Sequence, residues 1–143
     1  MEYVCTRLPK FISQAINIGH ADVVKLLLER GATNYESTMR QAVEKGHIDI
    51  VQLLLPMNCD YSPSLEIAVR NNNLEITKLL LDKSRLKSPA LSLASKNGSM
   101  EILQLLLNYR YSQYDYEHAI SVAGNQDVID LLLIYKQEKK KIL

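Results

Sequence analysis

A ten-residue pattern recurs five times in this chain, at residues 19–28, 46–55, 72–81, 98–107 and 124–133, spaced by 27 residues and then by 26 three times. Every copy ends in Leu-Leu-Leu, its fourth position is acidic (Asp22, Asp49, Glu75, Glu101, Asp127), and its fifth is β-branched and apolar (Val23, Ile50, Ile76, Ile102, Val128). A fixed period of this length confines the chain to a repeat architecture. A unit this small cannot bury its own apolar face and must stack on copies of itself.

Upstream of each copy lies a second periodic block, aligned on Ala15, Ala42, Ala68, Ala94 and Ala123. Three residues before each alanine stands Ile12, Met39, Leu65, Leu91 or Ile120, a spacing that places them on one helical face. Ser62-Pro63 and Ser88-Pro89 predict helix starts with serine as N-cap and proline at the first helical position. The turn column Gly19, Gly46, Asn72, Gly98 and Gly124 predicts the stop, because these residue types reach the left-handed conformation most readily. A second helix follows, with its acid complementing the helix dipole and its leucines demanding burial on several sides. Pro56 is expected to shorten the second of these helices. The fourth connector, 108–115, reads as about three residues longer than its fellows, and Ala123 beside Gly124 as a tighter fifth turn. The first helix of the last repeat is therefore expected to be short or shifted. Residues 1–7 are expected to cap the first repeat, and the charged tail after Tyr135 to continue the last helix.

Composition narrows the classes. The 143 residues are 47% hydrophobic and 23% charged, which suits one globular domain and is too apolar for disorder. A net charge of +1 gives no global attraction to nucleic acid or to an anionic membrane. No apolar run approaches the roughly 20 residues that span a bilayer, and residues 1–15 lack the apolar core of a signal peptide. Cys5 and Cys59 are read as free thiols of a reducing compartment. The expectation is a soluble, cytoplasmic protein.

The pattern Ala-x-x-x-Gly-His-x-Asp-Ile-Val-x-Leu-Leu-Leu at 42–55, with Gly31-Ala32 after the first leucine triplet, resembles the ankyrin repeat over roughly residues 8–135. The family period is about 33 residues, so each unit here lacks about seven, in the connector where ankyrin repeats build a β-hairpin. The Thr-Pro-Leu-His opening of that family is replaced by Ser-Pro-x-Leu at Ser62 and Ser88. The resemblance implies an all-α solenoid of five helix-turn-helix repeats, at about 8–34, 35–60, 61–86, 87–115 and 116–143, with little or no β structure. Abbreviated repeats of this kind look similar to some in large DNA viruses and intracellular parasites, for which a host cytoplasm or nucleus would be the location. The resemblance also implies a concave binding surface at Glu44-Lys45, Arg70-Asn71 and Lys96-Asn97, and a hydrogen bond near the turn from His20 and His47.

No residue set reads as catalytic. His20 and His47 share a repeat column, His118 lacks a second ligand at metal spacing, and there is no GxGxxG, P-loop or HExxH. Neither cofactor nor metal nor small-molecule substrate is expected. Six of the eight tyrosines fall in connectors or at first-helix starts, and tyrosine is enriched at interfaces. Tyr35, Tyr61 and Tyr116 read as one column that either binds a partner or packs between repeats. Tyr109, Tyr111 and Tyr114 break the pattern and are assigned to binding, with Lys87 at the same edge. The expected function is non-catalytic binding of another protein. Self-association through the end repeats is the alternative, followed by nucleic-acid contact through Lys139-Lys140-Lys141, where a solvated helix end is the plainer reading.

Overall fold

The computed structural model describes residues 2–141, and the side chains of residues 7–141. These form ten helices and no strand among the described residues: α1 (Glu2–Ile18), α2 (Ala21–Glu29), α3 (Tyr35–Lys45), α4 (Ile48–Leu54), α5 (Ser62–Arg70), α6 (Leu74–Leu81), α7 (Ser88–Asn97), α8 (Met100–Leu106), α9 (Gln113–Ser121) and α10 (Gln126–Lys141). Each odd helix pairs with the even helix that follows it. The α1–α3–α5–α7–α9 row is packed more closely than the α2–α4–α6–α8 row, so the odd row is the inside of the curve. Small residues permit that approach: Ala15, Ala42, Ala68, Ala94 and Ala119 are all buried along it. Leu54, Leu80, Leu106 and Leu132, the middle leucines of four triplets, are fully buried in the single core between the rows. Burying each contributes about 1.5–3 kcal/mol.

The helix ends follow local chemistry, with three departures from expectation. Pro56 does cut α4 short, at Leu54, and the Tyr61 hydroxyl serves the freed end, reaching the carbonyl oxygens of Leu54 at 3.3 Å, Leu55 at 3.0 Å and Met57. The first departure is at the serine starts. Ser62 and Ser88 are the first helical residues, so neither is the N-cap. The Asp60 carboxylate instead accepts from the Ser62 backbone N–H at 3.0 Å and its hydroxyl at 2.8 Å, and the Ser62 Oγ accepts from the Leu86 N–H of the next connector at 3.1 Å.

The second departure is the register of the last repeat. Ala119, not Ala123, takes the buried alanine position, and α9 lies one helical turn earlier than the alanine column predicts. A capping box fixes its start: the Ser112 hydroxyl accepts from the Asp115 N–H, while the Asp115 carboxylate accepts from the Ser112 N–H at 2.8 Å. The connector before α9, residues 107–112, then equals the previous one, 82–87, in length. A repeat boundary at 115/116 cuts into α9. The extra length sits in the last turn, 122–125, which is longer rather than tighter.

The third departure follows from the second. Gly19, Gly46, Gly98 and Asn72 have positive φ as the turn column requires, but Gly124 does not. Gly124 serves a close approach instead. Its N–H donates to Ser95 O at 2.9 Å, and a Cβ there would lie 2.5 Å from Lys96 O.

Candidate partner-binding site

The tyrosines separate by burial. Tyr61 and Tyr116 are core residues, 5% and 2% exposed, so neither presents a surface to a partner. They also do not share a column: Tyr116 takes the position of Met39, Leu65 and Leu91, three residues before the buried alanine of its helix. Tyr35 is half-buried against the core. Tyr109 bridges two connectors, with its hydroxyl donating to the Asp82 carboxylate and Lys87 Nζ 4.6 Å above its ring. Hydrogen bonding to Asp82, then burial, pushes the Tyr109 phenol up to about 12. Lys87 in turn donates to Ser84 O at 2.6 Å. Both side chains are thus occupied within the chain. Tyr111 packs edge-on against Tyr116, ring centres 5.9 Å apart, and burial first, then the Tyr116 phenol, pushes its own phenol up.

Tyr114 is the exception, 72% exposed on the first turn of α9. Its ring stands edge-on to His118 one turn later, at 6.2 Å between centres. The pair lines a cleft of about 380 Å³ with Ser88, Pro89 and Ser92 of α7 and with Asp115. Against the upward push of burial, hydrogen bonds from the Ser112 side chain and backbone hold the Asp115 carboxyl below its usual value. The cleft therefore offers an aromatic and proline wall beside a carboxylate and an imidazole. An apolar side chain with a nearby donor fits that lining. His118, Ser88, Pro89 and Ser92 had no place in the sequence argument; the available signal was the Tyr114/His118 spacing of four on one helix, visible only once α9 is in register.

Glu44, Arg70 and Lys96 are exposed in the last turns of α3, α5 and α7. They line the turn edge, while Tyr114 lies at the connector edge, separated by roughly 15 Å of inner helix. The structure does not bring the two groups together. His20 and His47 make no cap hydrogen bond to their helices. The His47 ring packs instead on the preceding turn, where a Cβ on Gly19 would lie 2.9 Å from its Cε1. Cys59 is a free, half-buried thiol, and the side chain of Cys5 lies outside the described ones. Among the described residues, no three or more His, Cys, Asp or Glu side chains are placed to hold a metal ion. No helix is long and apolar enough to cross a membrane.

The family model for ankyrin repeats (three copies) matches residues 65–142. No curated protein matches the chain significantly. The matched stretch is more than half of the chain, and it spans α6 to α10 with the end of α5. Helical pairs stacked in two rows, a turn column rich in glycine and the sequence match agree, and this chain belongs to the ankyrin-repeat family, whose repeats generally mediate protein–protein interaction.

Proposed function

We propose that the chain is a non-catalytic protein-binding module whose partner is anchored at the Tyr114 cleft of α7 and α9. The observation that carries this reading is a large aromatic ring, 72% exposed, held edge-on by His118 over a cleft of about 380 Å³. Tyrosines so placed recur among the few interface residues that dominate binding. Glu44, Arg70 and Lys96 supply a polar second contact along the turn edge for a partner long enough to cross the inner face. Tyr35, Lys87, Tyr109 and Tyr111 shape the connector edge and touch a partner only with their exposed atoms.

Because Tyr114 is exposed, Tyr114→Ala changes stability by no more than about 0.5 kcal/mol, so a loss of binding reads contact and not unfolding. Affinity capture followed by titration with the recovered partner should show binding weakened by a factor of roughly 30, the effect of a hot-spot residue worth about 2 kcal/mol. A partner held equally by the native chain and by Tyr114→Ala sinks this placement.

Exposed apolar residues at both ends favour a second reading, head-to-tail stacking of copies. Val23 is 45% exposed although Ile50, Ile76, Ile102 and Val128 in the same column are buried. Phe11 is 48% exposed beside it, and Leu133 at the other end is 41% exposed although Leu81 and Leu107 in its column are buried.

A further inference from the structure

A small cavity of about 110 Å³ lies where the fourth connector, α9 and the second half of α10 meet, lined by Tyr111, Gln113, Tyr116, Lys136, Lys139 and Lys140. Two of its features are unexplained by the fold. The hydroxyls of Tyr111 and Tyr116 are buried without a hydrogen-bond partner among the described residues, and Tyr116 is only 2% exposed. Buried polar atoms in folded proteins are nearly always paired. The three lysines, at spacings of three and four on α10, present their charges on one side of that helix.

The nearby carboxylates are engaged elsewhere. Glu117 accepts from Lys136 at 3.0 Å and from the Gln113 amide at 2.9 Å, and Asp115 is turned to Ser112. Lys139 and Lys140 form no salt bridge among the described residues. Burial raises both phenols, which keeps them protonated and able to donate at neutral pH. The lining thus offers neutral O–H donors at its floor and ammonium groups at its rim. A single water needs about 10–15 Å³ on this measure, so the space admits one tetrahedral oxyanion in place of several waters.

We propose that this cavity binds a phosphate group, free or as a monoester, with the Tyr111 and Tyr116 hydroxyls donating to its oxygens and Lys139 and Lys140 matching its charge. A phosphate monoester carries close to two charges near neutral pH and three strong acceptor oxygens, which matches two hydroxyls and two unpaired ammonium groups.

The test is titration of the 143-residue chain with inorganic phosphate at constant ionic strength, followed by amide NMR and by thermal melting. Saturable shifts confined to residues around 111–116 and 136–140, with a rise in Tm, are expected. Tyr111→Phe/Tyr116→Phe should weaken binding at least tenfold while leaving the phosphate-free Tm unchanged or higher, because the lost hydroxyls are unpaired. If that variant fails to fold, Lys139→Gln/Lys140→Gln, altered only at the rim, should show the same loss of affinity. Phenyl phosphate binding more tightly than inorganic phosphate identifies a monoester ligand, and the reverse order identifies the free anion. Absence of saturation by about 10 mM, or an equal response to chloride, overturns the site. Shifts produced by a single-stranded oligonucleotide but not by inorganic phosphate also overturn it, and give the lysines to a nucleic-acid surface.

Discussion

At Gly98 the backbone adopts φ of 70°, and a Cβ would lie 2.7 Å from the Asn125 Nδ2, the tip of a side chain that can swing away. At Gly124 the obstacle would be the Lys96 carbonyl oxygen, part of a helix end that cannot move alone. Gly98→Ala should therefore cost about 1–2 kcal/mol for the left-handed backbone. Gly124→Ala should cost more, about 3 kcal/mol, as overpacking. Urea denaturation measures both, and a Gly124→Ala variant as stable as the native chain would refute the close approach. The repeated glycine was legible as a turn signal, yet one letter covers two backbone states. Which state each glycine adopts depends on where the preceding helix ends, and that is decided several residues upstream. The buried tyrosines were opaque for a related reason: Tyr116 replaces an aliphatic core residue, and nothing in its identity says which way it faces.

The start of α9 carries the largest difference between expectation and structure. Ser112 and Asp115 satisfy each other's N–H groups and draw the helix back by one turn, so the insertion that looked like a long connector is a long turn. That signal stood in the sequence as Ser-x-x-Asp, but the alanine column at 123 pointed elsewhere and outweighed it. Ser112→Ala should destabilise the chain by about 1 kcal/mol at neutral pH. The sign of the pH dependence follows from Asp115, whose folded pKa is lowered from 3.8. Its contribution is present above 3.8 and fades as pH falls through the lower folded value. Urea midpoints of the native chain and Ser112→Ala should accordingly converge between pH 5 and roughly pH 3. A constant gap across that range would show that the Asp115 carboxylate contributes nothing to the cap. The other helices were readable because their periodicity and their stop residues agree. Pro56 ended α4 where expected, although the hydroxyl that serves the freed end comes from Tyr61, seven residues beyond Leu54.

At the scale of the whole chain, repetition made the stacking legible and hid what happens at its ends. A column residue is buried by its neighbouring repeat, so the same residue type is core at Ile76 and surface at Val23. If copies stack head to tail, light scattering should give a mass that climbs with concentration above the 16.3 kDa of one chain, and Val23→Lys should hold it there. A native mass that stays constant with concentration rejects the stacking. The candidate site was legible only in part, since Tyr114 was named from sequence while the cleft around it depends on packing between α7 and α9.

Where one unit meets the next, the turn of the earlier repeat receives the helix-start residue of the later one: His47 at Gly19, Asn73 at Gly46, Asn125 at Gly98. Because the same two columns meet at each of these joints, removing a whole unit from the coding sequence brings like ends together and leaves a working junction. Removing part of a unit does not. The number of repeats is therefore free to drift by recombination in whole steps, and the reach of the binding surface can lengthen or shorten without any new fold being invented.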